Sequence, residues 1–104
     1  PWALAKGFDG ASPVSKFMPN SKYPDLNNIN FDLVINKEQK QVGNTSFMIY
    51  NFKEIIAFVS SYMTLEAGDL IFTGTPALGS GLNVKGDHLQ ASIEGELLLY
   101  FKIV

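Results

Sequence analysis

A chain of 104 residues with a formal charge of −2 is one domain or part of one, and so small a charge argues against a polyionic partner, nucleic acid included. All eight basic residues are lysine, so the forked guanidinium that grips carboxylates at two points is missing, and an anion must be held by Lys or backbone N–H. The absence of cysteine excludes disulfides, thiolate catalysis and Cys-based zinc sites, and no run approaches the ~20 apolar residues of a membrane-spanning helix. The expectation is a soluble, cytoplasmic protein with no membrane partner.

Pro13, Pro19 and Pro24 interrupt the first 24 residues, which read as strand and loop rather than helix. Ile29, Phe31, Leu33 and Ile35 alternate with Asn30 and Asp32, the period of a half-buried strand. A polar turn over Asn36-Lys37-Glu38-Gln39 then leads into Lys40–Val42, which completes a hairpin. Asn51 and Glu54 stand at capping-box spacing, and Phe52, Ile55, Ile56, Val59 and Met63 recur at helical intervals, so one amphipathic helix is predicted over about Phe52–Met63. Gly68 suits a turn at positive φ, after which Leu70–Phe72 reads as a short apolar strand. Residues 77–86, with three glycines, read as a loop, and Asp87–Glu94 with Glu96–Val104 as a hairpin around Gly95. The last strand is apolar on both sides and needs cover from another layer. The single Trp2 is expected to serve packing.

The strand end Thr73-Gly74-Thr75-Pro76 suits a ligand: Gly74 lets a small molecule approach the backbone, two hydroxyls flank it, and Pro76 stiffens the exit. Lys6, between the apolar Trp2–Ala5 and Gly7-Phe8, is expected to emerge from a semi-buried strand, where its charge would stabilise a developing oxyanion. Asp9 and Asp69 read as turn residues, Glu66 as solvated, and Thr45 and Ser46 as turn caps outside the site. His88 follows Asp87, but no Gly-x-Ser-x-Gly elbow accompanies them, so a Ser-His-Asp relay is not expected. The loop Gly79-Ser80-Gly81 lacks the Gly-Lys-Ser/Thr ending of a phosphate cradle.

Taken together, Trp2-Ala-Leu-Ala-Lys-Gly-Phe-Asp9, Gly43-Asn-Thr-Ser46, Met63-Thr-Leu-Glu66 and Glu66-Ala-Gly-Asp-Leu-Ile-Phe-Thr-Gly-Thr-Pro76 closely resemble the C-terminal part of the fumarylacetoacetate hydrolase superfamily. The resemblance runs nearly end to end. It implies a β-rich α+β fold, a mixed β-sheet roll of that family's type, with residues 1–104 as the C-terminal part of a single catalytic domain that is incomplete without an upstream segment. It implies Lys6 and Thr75 as catalytic residues, with Lys6, Gly74 and Thr75 contacting substrate. A Mg²⁺ or Mn²⁺ ion would be held by two glutamates and an aspartate upstream of Pro1, so this segment supplies no metal ligand and is expected to be inactive alone. The implied substrate is a small 2-oxo or 1,3-diketo acid and the implied assembly a homodimer. The implied reaction is hydrolysis of a carbon–carbon bond in an acylpyruvate. The alternatives are 2-hydroxyhepta-2,4-diene-1,7-dioate isomerisation, oxaloacetate decarboxylation, or a non-catalytic β-rich association module. Two departures are a missing glycine near Lys37 and the sequence Ala77-Leu-Gly-Ser-Gly-Leu82 where small members commonly carry a Gly-Val-Gly-like turn.

Overall fold

The computed structural model describes residues 1–74 and 81–104. Its elements are α1 (Trp2–Lys6), β1 (Asn30–Ile35), β2 (Glu38–Asn44), α2 (Phe52–Tyr62), β3 (His88–Ile93) and β4 (Glu96–Lys102), with single 3₁₀ turns at Asn20–Lys22 and Thr45–Phe47. The four strands form one sheet in the order β2-β1-β3-β4, antiparallel throughout. Both expected hairpins are present, so the sheet is two hairpins joined along β1 and β3.

Each hairpin closes through two residues in the left-handed region, Asn36 and Lys37 (φ 50° and 70°) in the first and Glu94 and Gly95 (φ 48° and 75°) in the second. Such turns match the right-handed twist of the strands they join. The first is therefore shorter than the polar run suggests: Ile35 pairs directly with Glu38, and Glu38 and Gln39 belong to β2. Lys37 sits at positive φ with a side chain that disfavours it. Lys37→Gly is expected to stabilise the fold by about 0.5–1 kcal/mol, read as a higher urea midpoint at unchanged slope.

Asn36 also couples the first hairpin to the second. Its N–H donates to the His88 carbonyl at 3.0 Å, its Oδ1 accepts the His88 N–H at 3.0 Å, and its Nδ2 donates to Asp87 Oδ1 at 2.8 Å. The register slips once in each outer strand, leaving Lys40 unpaired in β2 and Leu98 unpaired in β4. Bulges there twist the two exposed sheet edges and discourage edge-to-edge association.

Helix α2 begins with the complete capping box expected: Glu54 N–H donates to Asn51 Oδ1 at 3.0 Å and Asn51 N–H to Glu54 Oε2 at 2.8 Å. It ends at Tyr62, with Met63 as the C-cap. Ahead of the sheet, Lys22 pairs with Glu96 at the start of β4, tying the 3₁₀ turn at Asn20–Lys22 to the sheet edge. Thr45 acts as a clasp: its hydroxyl donates to the Leu26 carbonyl at 2.8 Å and accepts from Ile29 N–H at 2.9 Å.

Three expectations need correction. The N-terminal stretch is not strand and loop alone, because Trp2–Lys6 is helical. Ala3, Leu4, Ala5 and Lys6 are all strong helix formers, Pro1 sits at the N-cap where its missing N–H costs nothing, and the other prolines lie beyond Gly7. Leu70–Phe72 forms no strand. A strand exists through its ladder, and an apolar run does not provide a neighbour. Trp2, expected to pack, is 81% exposed. The core is accordingly thin: Ile29, just ahead of β1, and Leu89 on β3 are the only buried hydrophobic residues among those described.

Candidate functional site

Thr73 and Gly74 reach the site from a tight turn. Glu66 to Asp69 close on themselves: Asp69 N–H donates to the Glu66 carbonyl at 3.1 Å, Asp69 Oδ2 accepts the Glu66 N–H at 2.8 Å, and Gly68 takes φ 99°. The same device recurs at Val84 to Asp87, with distances of 3.1 and 2.9 Å and Gly86 at φ 99°. In both copies the aspartate is used to hold its own turn, as expected for Asp69 from sequence.

Gly74 has φ 90°, and a Cβ built on it would meet none of the described residues within 4 Å. Those residues leave room for a ligand to approach its backbone. With Thr73 it lines a cavity of about 740 Å³ whose walls come from three elements. Ile29, Phe31 and Ile93 stand on the sheet side, Phe52 and Ile55 on α2, and Phe47 to Tyr50 on the connection between them. Thr45 also lines it, but its hydroxyl is already engaged in both directions. Among the described residues, no charged side chain borders the cavity, and its available polar groups are the Tyr50 hydroxyl and the chain at Thr73 and Gly74.

The other proposed site residues fall differently. Lys6 sits on an exposed helix, not on a semi-buried strand, and is not part of the cavity lining. Its ammonium lies 5.8 Å from the centroid of the Trp2 ring, a cation–π arrangement across one helical turn. Thr75 lies outside the described residues, as does the loop Gly79-Ser80. The structure thus brings Gly74 to a cavity and leaves Lys6 away from its walls. That Phe31, from the expected strand face, would meet Phe47 and Tyr50 around one cavity escaped the sequence reading, since residues that converge from separate elements leave no local pattern.

Among the described residues, no three His, Asp or Glu side chains converge where a metal ion could sit. A hard divalent cation needs several oxygen ligands, so these residues do not fit one. His88 Nδ1 lies 2.8 Å from the Tyr100 hydroxyl, and the Asp87 carboxylate turns to Val84 and Asn36, so no Ser-His-Asp relay forms among the described residues.

The Val84 N–H, then the Asn36 amide, hold the Asp87 carboxyl below its ordinary value of 3.8. A depressed carboxyl stabilises the fold at pH values above its unfolded pKa, and the gain is lost as pH falls through the lower native value. Asp87→Asn is therefore expected to flatten the acid limb: its urea midpoint falls below the parent's near neutrality, and the two converge below about pH 4.

Residues 1–100 match the family model described as fumarylacetoacetate (FAA) hydrolase C-terminal. Among curated proteins, the chain is 48% identical to the mitochondrial oxaloacetate tautomerase FAHD1 of Bos taurus, over 99% of this chain and 46% of that protein. It is 40% identical to the oxaloacetate tautomerase YcgM of Escherichia coli K12, over 94% of this chain and 45% of that protein. Among solved structures, fumarylpyruvate hydrolase from Pseudomonas aeruginosa in complex with Mn²⁺ and pyruvate superposes with a TM-score of 0.89 at 29% identity, covering 100% of this chain and 44% of that one. The chain spans about half the length of the curated relatives it matches.

Proposed function

The chain belongs to the fumarylacetoacetate hydrolase family, and from that premise we propose that the intact protein is an enzyme acting on a small 2-oxo acid through its enol or enolate, with oxaloacetate the first substrate. The observation that carries this reading is the match, along nearly the whole chain, to curated oxaloacetate tautomerases. In keto–enol exchange one proton leaves C3 and one is gained by the carbonyl oxygen, so the transition state carries negative charge on that oxygen. Donors held ready for that charge are usually the largest single catalytic contribution a protein makes.

In this reading the Lys6 ammonium faces the developing enolate oxygen. Gly74, whose backbone is open, and Thr75 hold the substrate carboxylate by N–H and hydroxyl. The apolar walls beside Gly74 keep water from the enol, which strengthens each of these interactions. The fumarylpyruvate hydrolase relative is a complex with Mn²⁺ and pyruvate. A divalent ion, Mg²⁺ or Mn²⁺, is accordingly part of the proposal, held by residues outside these 104.

A second reading, carbon–carbon hydrolysis of an acylpyruvate, is favoured by the fold shared with that hydrolase. The two share the enolate and differ in whether water attacks the distal carbonyl. The test is a side-by-side assay of the intact protein with added Mn²⁺ or Mg²⁺. Enol-to-keto conversion of oxaloacetate is followed by ultraviolet absorbance, pyruvate release by a coupled dehydrogenase, and cleavage of acetylpyruvate and fumarylpyruvate by loss of the diketo chromophore. Oxaloacetate tautomerisation is expected to be fastest. Cleavage tenfold faster than tautomerisation would establish the hydrolase instead, and inactivity on all substrates would refute both.

A further inference from the structure

We propose that Asp69 is a positioning residue for the reaction: its carboxylate fixes the turn through which the chain leaves α2 and arrives at Gly74. The inference rests on the reading of Gly74 as a holder of the substrate carboxylate. Phe52 and Ile55 of α2 and the pair Thr73-Gly74 line the same cavity, and residues 63–72 carry the chain from one wall to the other. Where Gly74 comes to rest therefore depends on how that connection turns. A displacement of about 1 Å at a substrate contact can cost about 10²-fold in rate.

Asp69 closes the turn twice. Its backbone N–H donates to the Glu66 carbonyl at 3.1 Å, and its Oδ2 accepts the Glu66 N–H at 2.8 Å. Gly68 supplies the left-handed residue, φ 99°, that the reversal needs. A bond to a carboxylate is charge-assisted and is the stronger kind. Residues 64–74 make no other hydrogen bond to the described residues. The carboxylate is engaged by backbone, so Asp69 acts on the substrate through Gly74 and not as an acid or base.

The second copy of the device is held differently. At Val84 to Asp87 the same pair of bonds recurs, but other groups grip that turn as well. Gly86 N–H donates to the Ile103 carbonyl at 2.9 Å, Ile103 N–H to the Asp87 carbonyl at 2.9 Å, and Asn36 Nδ2 to Asp87 Oδ1 at 2.8 Å. The chain then enters β3, whose ladders to β1 and β4 set its direction. Leu70–Phe72 forms no strand, so the direction of the chain toward Thr73 and Gly74 is left to the Asp69 turn. The two aspartates thus make one local contact with different consequences, and Asp87 serves as the control for Asp69.

The experiment is steady-state kinetics of the intact protein on oxaloacetate and acetylpyruvate. Asp69→Ala is expected to raise KM about tenfold, the order of one hydrogen bond to a charged group, with a smaller fall in kcat, because Gly74 holds the carboxylate in ketone and enolate alike. Asp69→Asn keeps an acceptor for the Glu66 N–H and should restore most of the loss. Gly68→Ala strains the same turn without removing a charge and should reproduce the rise in KM. Asp87→Ala should lower the urea midpoint and leave KM unchanged. A turn that only stabilised the fold would lower the active fraction, and so the apparent kcat, at constant KM. That pattern in Asp69→Ala overturns the inference, as does an Asp69→Asn variant no better than alanine, which would mean that the charge itself acts. Should the unsubstituted protein turn over neither substrate, the proposed function falls and hydrogen exchange decides the positioning. Amides 70–74 exchanging faster in Asp69→Ala but not in Asp87→Ala support it, and unchanged exchange there overturns it.

Discussion

Lys6→Ala in the intact protein is expected to lower kcat by about 10²- to 10³-fold, the loss typical when one donor to a developing oxyanion is removed. The thermal midpoint should barely move. Lys6 is exposed on a five-residue helix, and the contact it makes there is the cation–π approach to Trp2 at 5.8 Å, an interaction worth about 0.5–1 kcal/mol at an exposed site. KM is expected to change less than kcat, since in the proposed mechanism the ammonium stabilises the enolate more than the ketone. Lys6→Arg tests geometry separately from charge: a planar fork cannot replace a compact ammonium, so the charge-conserving variant should recover only part of the loss. Near-normal turnover of Lys6→Ala would remove Lys6 from the site and leave Gly74 and Thr75 as the chain's contribution.

What could be read from the sequence was what local chemistry decides. Helix α2 was legible to within one residue because a capping box and a helical apolar period agree over the same segment. The two hairpins were legible for similar reasons, although the first turn was drawn too long. Lys37, a non-glycine at φ 70°, gave no sign of a two-residue turn. The bulge at Leu98 had a signal in the apolar run Leu97-Leu98-Leu99, which breaks the period of two. Leu70–Phe72 has the composition of a strand, but a strand needs a partner from elsewhere in the polypeptide, and composition cannot supply one. The exposure of Trp2 and the thin core share that cause. What could be read at Gly74 was its conformational freedom, which is local and which its φ of 90° uses. The cavity walls and the Asn36–Asp87 bond, which joins residues 51 apart, depend on long-range convergence that no window of sequence contains.

Gly43→Ala should be the most damaging single methyl in the sheet. Gly43 faces Phe31 across β1 and β2, and a Cβ at position 43 would lie 2.4 and 2.6 Å from two atoms of the Phe31 ring. Real side chains do not approach so closely, so the ring must leave. Moving the ring disturbs the cavity wall that it forms and its packing beside Ile93, its cross-strand partner on the other flank. Overpacking of this kind costs about 1–3 kcal/mol, which in a protein of 150–250 residues lowers Tm by about 2–4 °C per kcal/mol. The cause is tested by a double-mutant cycle. Phe31→Leu removes the ring and costs stability itself, but Gly43→Ala added to that background should cost much less than in the parent, giving a coupling of at least 0.5 kcal/mol. Additive losses would mean that the ring is not what position 43 accommodates. Because the displaced ring belongs to the wall beside Thr73 and Gly74, Gly43→Ala should also lower kcat/KM although position 43 touches no substrate. That activity should return only with a smaller residue at position 31.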